Sequence, residues 1–446
     1  MPEAERTGGA WARALELARA TPATRNRSVD FLRAASILVV VLGHWLMAAP
    51  QVTVEGASLG HMLDLAPWTR WLTWALQVMP TFFLVGGFAN ATSWESARAK
   101  GRGYGEWLHG RTVRLIGPIL PLLVIWSLLA VAARLGGVSL EMVRIGSQVA
   151  LVPTWFLAVY LGVALLVPWT RAAWRRFGLA SFAVPAAAAA AVDWWGLVEG
   201  HDWMRWLNYA CVWIAVHQLG YAWKDGLVSG PRRGLAWAGG GLVAAGALVG
   251  WGPYPVSMVG VPGEEISNTL PPTLALLAFA VLQIGLVLAV EAPARRRLEG
   301  ERAWAATVLI NASIMTLYLW HSTVLVLLIG ALVALGGPGL GLEPGTATWW
   351  LSRVPWVLLL ALLLWPFLAL FGRFERPAAG AAPASWRLVT GSLLLCGGIG
   401  VLSLLGIAAN NALGLSPFVA LPLAGALLAG VARPSGTRAR GARLRG

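Results

Sequence analysis

The sequence predicts an all-α polytopic membrane protein with about 10–12 transmembrane helices and both termini cytoplasmic. Three observations lead there. Of 446 residues, 57% are hydrophobic and only 12% are charged, with a mean hydropathy of +0.67; a soluble chain of this length needs far more charge to cover its surface. Apolar stretches of membrane-spanning length recur near 31–49, 68–92, 113–133, 149–168, 178–197, 205–222, 235–251, 270–290, 304–334, 351–371, 386–408 and 411–432, each approaching or exceeding the roughly 18 residues a helix needs to cross a bilayer. The charges between them alternate. Arg98, Lys100, Arg102, Arg111 and Arg114 follow the second stretch, Arg171, Arg175 and Arg176 the fourth, and Lys224, Arg232 and Arg233 the sixth. Arg295, Arg296 and Arg297 follow the eighth and Arg373 and Arg376 the tenth, while the intervening loops carry Glu55, Asp64, Asp193, Glu199, Asp202, Glu264 and Glu265. Short basic loops stay in the cytoplasm, which fixes the expected orientation.

Each segment has its own reason. Residues 1–28 are polar and basic, too long and too charged for a cleaved signal, and read as a cytoplasmic tail. Within them WARALELARA is either a short amphipathic helix at the membrane surface or part of a mobile tail. The long outer loop 251–273 is rich in proline and glycine and is not expected to be helical. The last stretch is interrupted by Pro417 and Pro422, and residues 433–446 form a basic cytoplasmic tail. The net charge of +14 does not indicate nucleic-acid binding, because the arginines sit in clusters between apolar runs rather than on one stripe. Cys211 and Cys396 both fall inside apolar segments and build neither a disulfide framework nor a metal site.

The first apolar stretch carries the strongest chemical signal. In VDFLRAASILVVVLGHWL, Arg33 and His44 are separated by eleven positions. On a helix that leaves an offset of about 20°, so both point the same way, about 16 Å apart along the axis. Asp30 lies three residues before Arg33 and can pair with it; it is roughly 21 Å from His44 along the axis, so a carboxylate partner for the histidine has to come from elsewhere. An ionisable group at membrane depth normally faces the bundle interior or a water-filled cavity. Arg33 as a membrane-surface anchor and His44 as a packed, carbonyl-bonded histidine remain the plain alternatives.

Further segments complete a pattern. SVDFLRAASILVVVLGHW, PTFFLVGGFANA (80–91), WLHGRTVRLIGPILP (107–121), MTLYLWHSTVLV (315–326) and FGRFERP (371–377) follow one another in order. Together they resemble the motifs of the acyltransferase-3 family of integral membrane O-acyltransferases, over about residues 25–377. Gly86 stands where the family often has serine, and TWFLAVYL (154–161) offers Trp155 and Leu157 but Tyr160 where many members have a glutamate.

The resemblance implies transfer of an acyl group, usually acetyl, from cytosolic acyl-CoA to a hydroxyl of a sugar-containing acceptor; no bound cofactor or metal is expected. A composition rich in alanine and glycine, with lysine only at 100 and 224, points to a GC-rich bacterial genome and so to a bacterial cytoplasmic membrane. On that reading the candidate catalytic residues are His44, as general base, and His321, which is expected to line the same cavity or else to pack with Tyr318 and Trp320. Arg33, Arg111 and Arg114 are candidate contacts for the CoA phosphates, since arginine suits phosphate; positive-inside anchoring is their other reading. Glu264, Glu265 and Asn268 in the outer loop are candidate acceptor contacts. Asn90, Gln77 and Asn311 read as polar glue between helices, and His61, His109, His201 and His217 have no motif support. The domain organisation expected is a tail (1–28), the acyltransferase-type membrane domain (29–377), additional C-terminal membrane helices (378–432) and the basic tail (433–446). A secondary transporter is the competing class; it predicts repeat symmetry and matching broken helices, and neither is visible in the sequence. Acceptor identity, chain length of the acyl group and oligomeric state are not encoded in any motif.

Overall fold

Apolar runs become helices almost throughout, because a chain in lipid has to satisfy its backbone hydrogen bonds internally. The structure, a computed structural model, describes residues 9–22, 25–53, 56–375 and 380–431. The basic tail from 433 onward and the motif residues Arg376 and Pro377 lie outside the described residues. In chain order the elements begin with α1 (Ala10–Arg19), α2 (Arg27–Met47) and a two-stranded antiparallel hairpin, β1 (Ala48–Thr53) and β2 (Gly56–His61). There follow α3 (Met62–Leu65), α4 (Thr73–Leu76), α5 (Met79–Ala99), α6 (Tyr104–Ile116), α7 (Ile119–Leu135), α8 (Leu140–Leu151), α9 (Thr154–Leu165) and α10 (Val167–Phe177). The chain continues through α11 (Ala180–Asp193), α12 (Asn208–Lys224), α13 (Pro231–Trp251), α14 (Leu274–Ala289), α15 (Glu291–Leu298), α16 (Glu301–Ala312) and α17 (Ile314–Ala334). It closes with α18 (Ala347–Phe371), α19 (Ser385–Leu405) and α20 (Ala420–Leu428).

Among the described residues, eight helical segments are long and apolar enough to cross a membrane. Two bent pairs, α8 with α9 at 48° and α14 with α15 at 52°, raise the number to ten. The protein is therefore a multi-pass helical membrane protein. The expected stretch 205–222 is α12, which has 17 residues, and 411–432 holds only the short apolar segment Pro417–Leu428. Pro153 stands at the α8–α9 break and Pro118 at the α6–α7 junction, where a missing N–H and a fixed φ interrupt the helical ladder.

The chain divides into two compact units, Met1–Glu95 with Leu166–Trp365 and Ser96–Leu165 with Pro366–Gly446. In the first, α1 is the amphipathic helix the sequence offered. It rests on α16, with Ala14 and Ala18 against Trp304 and Ala305. α2 runs parallel to α16 and α17, since Arg33 bonds Asn311 and His44 bonds His321 in the same order. α5 and α12 cross closely: a Cβ on Gly87 would overlap the His217 carbonyl, and one on Gly220 would overlap that of Leu84. Below that crossing, the buried Arg171 of α10 bonds Glu95 at 2.8 Å and Asp225 at 2.7 Å, with Lys224 at 2.6 Å from Glu95, so α5, α10 and α12 share one ion network. Burial opposes the charge of Asp225, but hydrogen bonds from Arg171 and Trp174 hold its carboxyl below the usual carboxylate range.

The second unit packs α19 against α8, α9 and α20. Ser147 Oγ accepts from the Ile407 backbone N–H at 3.0 Å, and Gly391 and Gly425 allow α19 and α20 to touch backbone to backbone. Small residues at such crossings let membrane helices gain close van der Waals contact.

Candidate active site

The Arg33 end of the site is set by how α2 starts. Asn26 caps the helix by accepting from Ser28 N and Val29 N, which places Asp30 in the first turn, where a carboxylate is favoured by the helix dipole. Asp30 then accepts from Arg33 Nη2 at 2.8 Å and from Arg25 Nε at 2.6 Å. Arg33 Nε donates to Asn311 Oδ1 at 2.8 Å, and the Asn311 amide donates back to the Asp30 carbonyl at 3.0 Å. Arg33 is thus held in a fixed pose by a carboxylate and an amide, with its side chain 30% exposed. Asn311 is the residue that orients it.

At the other end, α2 and α17 bring His44 and His321 together. The ring nitrogens His44 Nδ1 and His321 Nε2 are 2.9 Å apart, and the rings stack with centroids 5.1 Å apart and planes 22° apart. His321 is fully buried, and its Nδ1 lies 2.6 Å from the Tyr318 carbonyl oxygen. A carbonyl only accepts, so in the neutral ring His321 Nδ1 carries the proton and Nε2 is the acceptor. His44 Nδ1 must then donate to it, an assignment made from the hydrogen-bond network. His44 Nε2 is left as a lone-pair nitrogen, with no hydrogen bond among the described residues. Ser322 Oγ lies 3.1 Å from the same His321 Nε2.

Three helices are tied at this level. Trp45 Nε1 donates to the His321 carbonyl at 3.0 Å, and Trp356 Nε1 of α18 donates to the Trp45 carbonyl at 3.1 Å. The hairpin adds His61, whose Cα pairs with that of Ala48, one helical turn beyond His44. His61 Nδ1 accepts from Leu63 N at 3.3 Å, and burial lowers its pKa, against the opposing pull of Asp64.

The orienting partner of His44, which the sequence left open, is therefore an imidazole rather than a carboxylate. The expectation that His321 lines the same cavity as His44 pointed toward it, but not to a direct bond between the two rings. Arg111 and Arg114 lie on α6, in the other unit. The Arg111 guanidinium is 5.8 Å from the Trp107 ring centroid, and Arg114 is exposed. In the outer loop, Glu264 pairs with Arg70 at 2.9 Å, while Glu265 is exposed at the rim of an open hollow of about 390 Å³. Asn268 is fully buried; its amide donates to the carbonyls of Pro255 and Ser257 and its oxygen accepts from Thr273 Oγ1. It shapes the loop from within. Gln77 acts similarly, donating to the Met258 carbonyl at 2.9 Å, and Asn90 bonds His217 at 3.1 Å between α5 and α12. No cluster of three or more metal-ligating side chains occurs among the described residues.

No curated protein and no solved structure matches the chain. Residues 26–371, which hold both ends of the α2 site, match the family model for the acyltransferase-3 acyltransferase domain; the chain belongs to that family and is a membrane acyltransferase.

Proposed function

We propose that the protein transfers an acyl group, acetyl in the simplest case, from cytosolic acyl-CoA to a hydroxyl of a carbohydrate-containing acceptor, with His44 as general base. The observation that carries this reading is the His44–His321 pair, which leaves His44 Nε2 as a lone-pair nitrogen on a fixed ring. His44 Nε2 takes the proton of the acceptor hydroxyl as its oxygen attacks the thioester carbonyl. The C–O bond forms, the C–S bond breaks, and the imidazolium returns its proton to the departing CoA thiolate. His321 is a positioning residue: it fixes the tautomer of His44 and holds its ring.

Arg33 and His44 stand on one unbroken helix, α2, about 16 Å apart along the axis. That separation is of the order of an extended pantetheine arm, so phosphates at the Arg33 end are consistent with a thioester at the His44 end. With the termini in the cytoplasm, as the charge alternation suggests, the Arg33 end faces the CoA pool and the His44 end lies toward the outer side. A bacterial cytoplasmic membrane and an envelope or secreted glycan fit this arrangement.

Purified protein in nanodiscs is expected to transfer or hydrolyse the acetyl group of acetyl-CoA. His44→Ala is expected to lower the rate by about 10²–10⁴-fold, the range general-base catalysis supplies, at unchanged expression. Full activity in that variant would overturn the assignment. Arg33→Ala is expected to raise the KM for acetyl-CoA chiefly; an unchanged KM leaves Arg33 as an anchor alone.

A further inference from the structure

α18 carries a cation that no acidic side chain neutralises among the described residues. Its outward side presents the exposed Leu351, Val354, Leu358, Leu362 and Trp365, while Trp349, Arg353, Trp356, Leu360 and Leu364 form the buried stripe. Arg353 is 6% exposed. Its Nη2 donates to Ser352 Oγ at 3.1 Å, but its buried Nε and Nη1 have no hydrogen-bond partner. No acidic side chain pairs with it among the described residues. Two indoles enclose the guanidinium, Trp349 at 4.2 Å and Trp356 at 5.0 Å from ring centroid to Cζ.

Those same indoles fix where Arg353 lies. Trp356 donates to the Trp45 carbonyl, and Trp349 packs with Ala49, Met62 and Ala66. Both therefore rest on the segment just after His44, and Trp45 itself bonds His321. Arg353 stands at the histidine end of the site, away from the Arg33 end.

A buried, unpaired ion is costly, and Arg353 lies on the packed stripe of α18 rather than on its exposed side. The two cation–π contacts offset part of that cost without supplying hydrogen-bond acceptors for Nε and Nη1. An anion with oxygen acceptors would both satisfy those two nitrogens and neutralise the charge. We propose that Arg353 recognises the acceptor, binding a carboxylate or phosphate that it carries close to the hydroxyl deprotonated by His44. This rests on the acceptor entering at the His44 end, as proposed above. It makes the acceptor an acidic glycan or a phosphate-bearing one rather than a neutral sugar.

The test uses the full chain in detergent. Thermal unfolding is measured with glucuronate, glucose 6-phosphate and glucose, with sodium chloride matching ionic strength. An anionic sugar is expected to raise Tm by several degrees over glucose; which of the two does so separates the carboxylate source from the phosphate source. Arg353→Gln and Arg353→Met should each lose the shift, and Arg353→Lys should keep part of it. No anion-specific shift in the wild type, or an equal shift in a folded Gln or Met variant, overturns the proposal. In parallel, Arg353→Gln should raise the KM for an acidic acceptor at least tenfold and leave that for acetyl-CoA unchanged; a rise confined to acetyl-CoA contradicts it. If the wild type transfers no acyl group to any acceptor, the general-base reading fails, while the unfolding measurement still decides the anion site.

Discussion

At the residue scale, the site depends on one proton. The Tyr318 carbonyl fixes the tautomer of His321, and His321 in turn fixes that of His44. His321→Ala removes the acceptor and frees the His44 ring. The expected result is a 10–100-fold fall in kcat, equivalent to about 1.4–2.8 kcal/mol, with the acetyl-CoA KM little changed. His321→Gln places an amide oxygen where Nε2 was and is expected to restore part of the rate. Steady-state kinetics of both variants check this, and equal loss in both would point to packing rather than tautomer control. Trp45→Phe removes the indole donor to the His321 carbonyl and should lower stability by about 1 kcal/mol, the usual net value of one such bond, read as a fall in Tm. The histidine in the first stretch was legible in the sequence, and so was the arginine on the same face. The Asp30–Arg33 pair was legible too, and the resemblance placed His321 in the same cavity; the Asn311 contact and the direct His44–His321 bond were not. Asn311 and His321 are 278 and 277 residues further along the chain, and no local period encodes a contact at that distance.

At the element scale, the first unit depends on two devices. Gly87→Ala is expected to force α5 and α12 apart, because the new methyl meets backbone rather than a flexible side chain; overpacking of this kind costs about 1–3 kcal/mol and should appear as a lower Tm. Arg171 joins three helices through Glu95 and Asp225. The folded pKa of Asp225 lies below its unfolded value. Its contribution to stability is therefore present above the unfolded carboxylate pKa, about 4, and is lost as pH falls toward and through the folded pKa. An acid series of Tm should show a steeper fall for the wild type than for Asp225→Asn. The sequence read these arginines only as orienting charges. Their pairing with acids on other helices needed the fold, because Glu95, Arg171 and Asp225 have no shared spacing.

At the scale of the whole molecule, hydropathy identified a multi-pass helical protein, and the structure counts eight to ten spanning helices. The proposed orientation has a direct check. With Cys211 and Cys396 replaced, a membrane-impermeant thiol reagent is expected to label a cysteine at Glu265 from outside and to leave one at Arg297 unlabelled until the membrane is opened. The reverse pattern would invert the positions of donor and acceptor. The sequence by itself determined the membrane class, the face shared by Arg33 and His44, and the acyltransferase resemblance, because hydropathy, helical period and ordered motifs are local properties of the chain. Only the tertiary structure decided that His44 pairs with an imidazole, that Arg33 is held by Asn311, and that Arg353 is buried with no counter-ion among the described residues. Each of those depends on which helices become neighbours, and that is set by the packing of the whole bundle rather than by any single stretch of sequence.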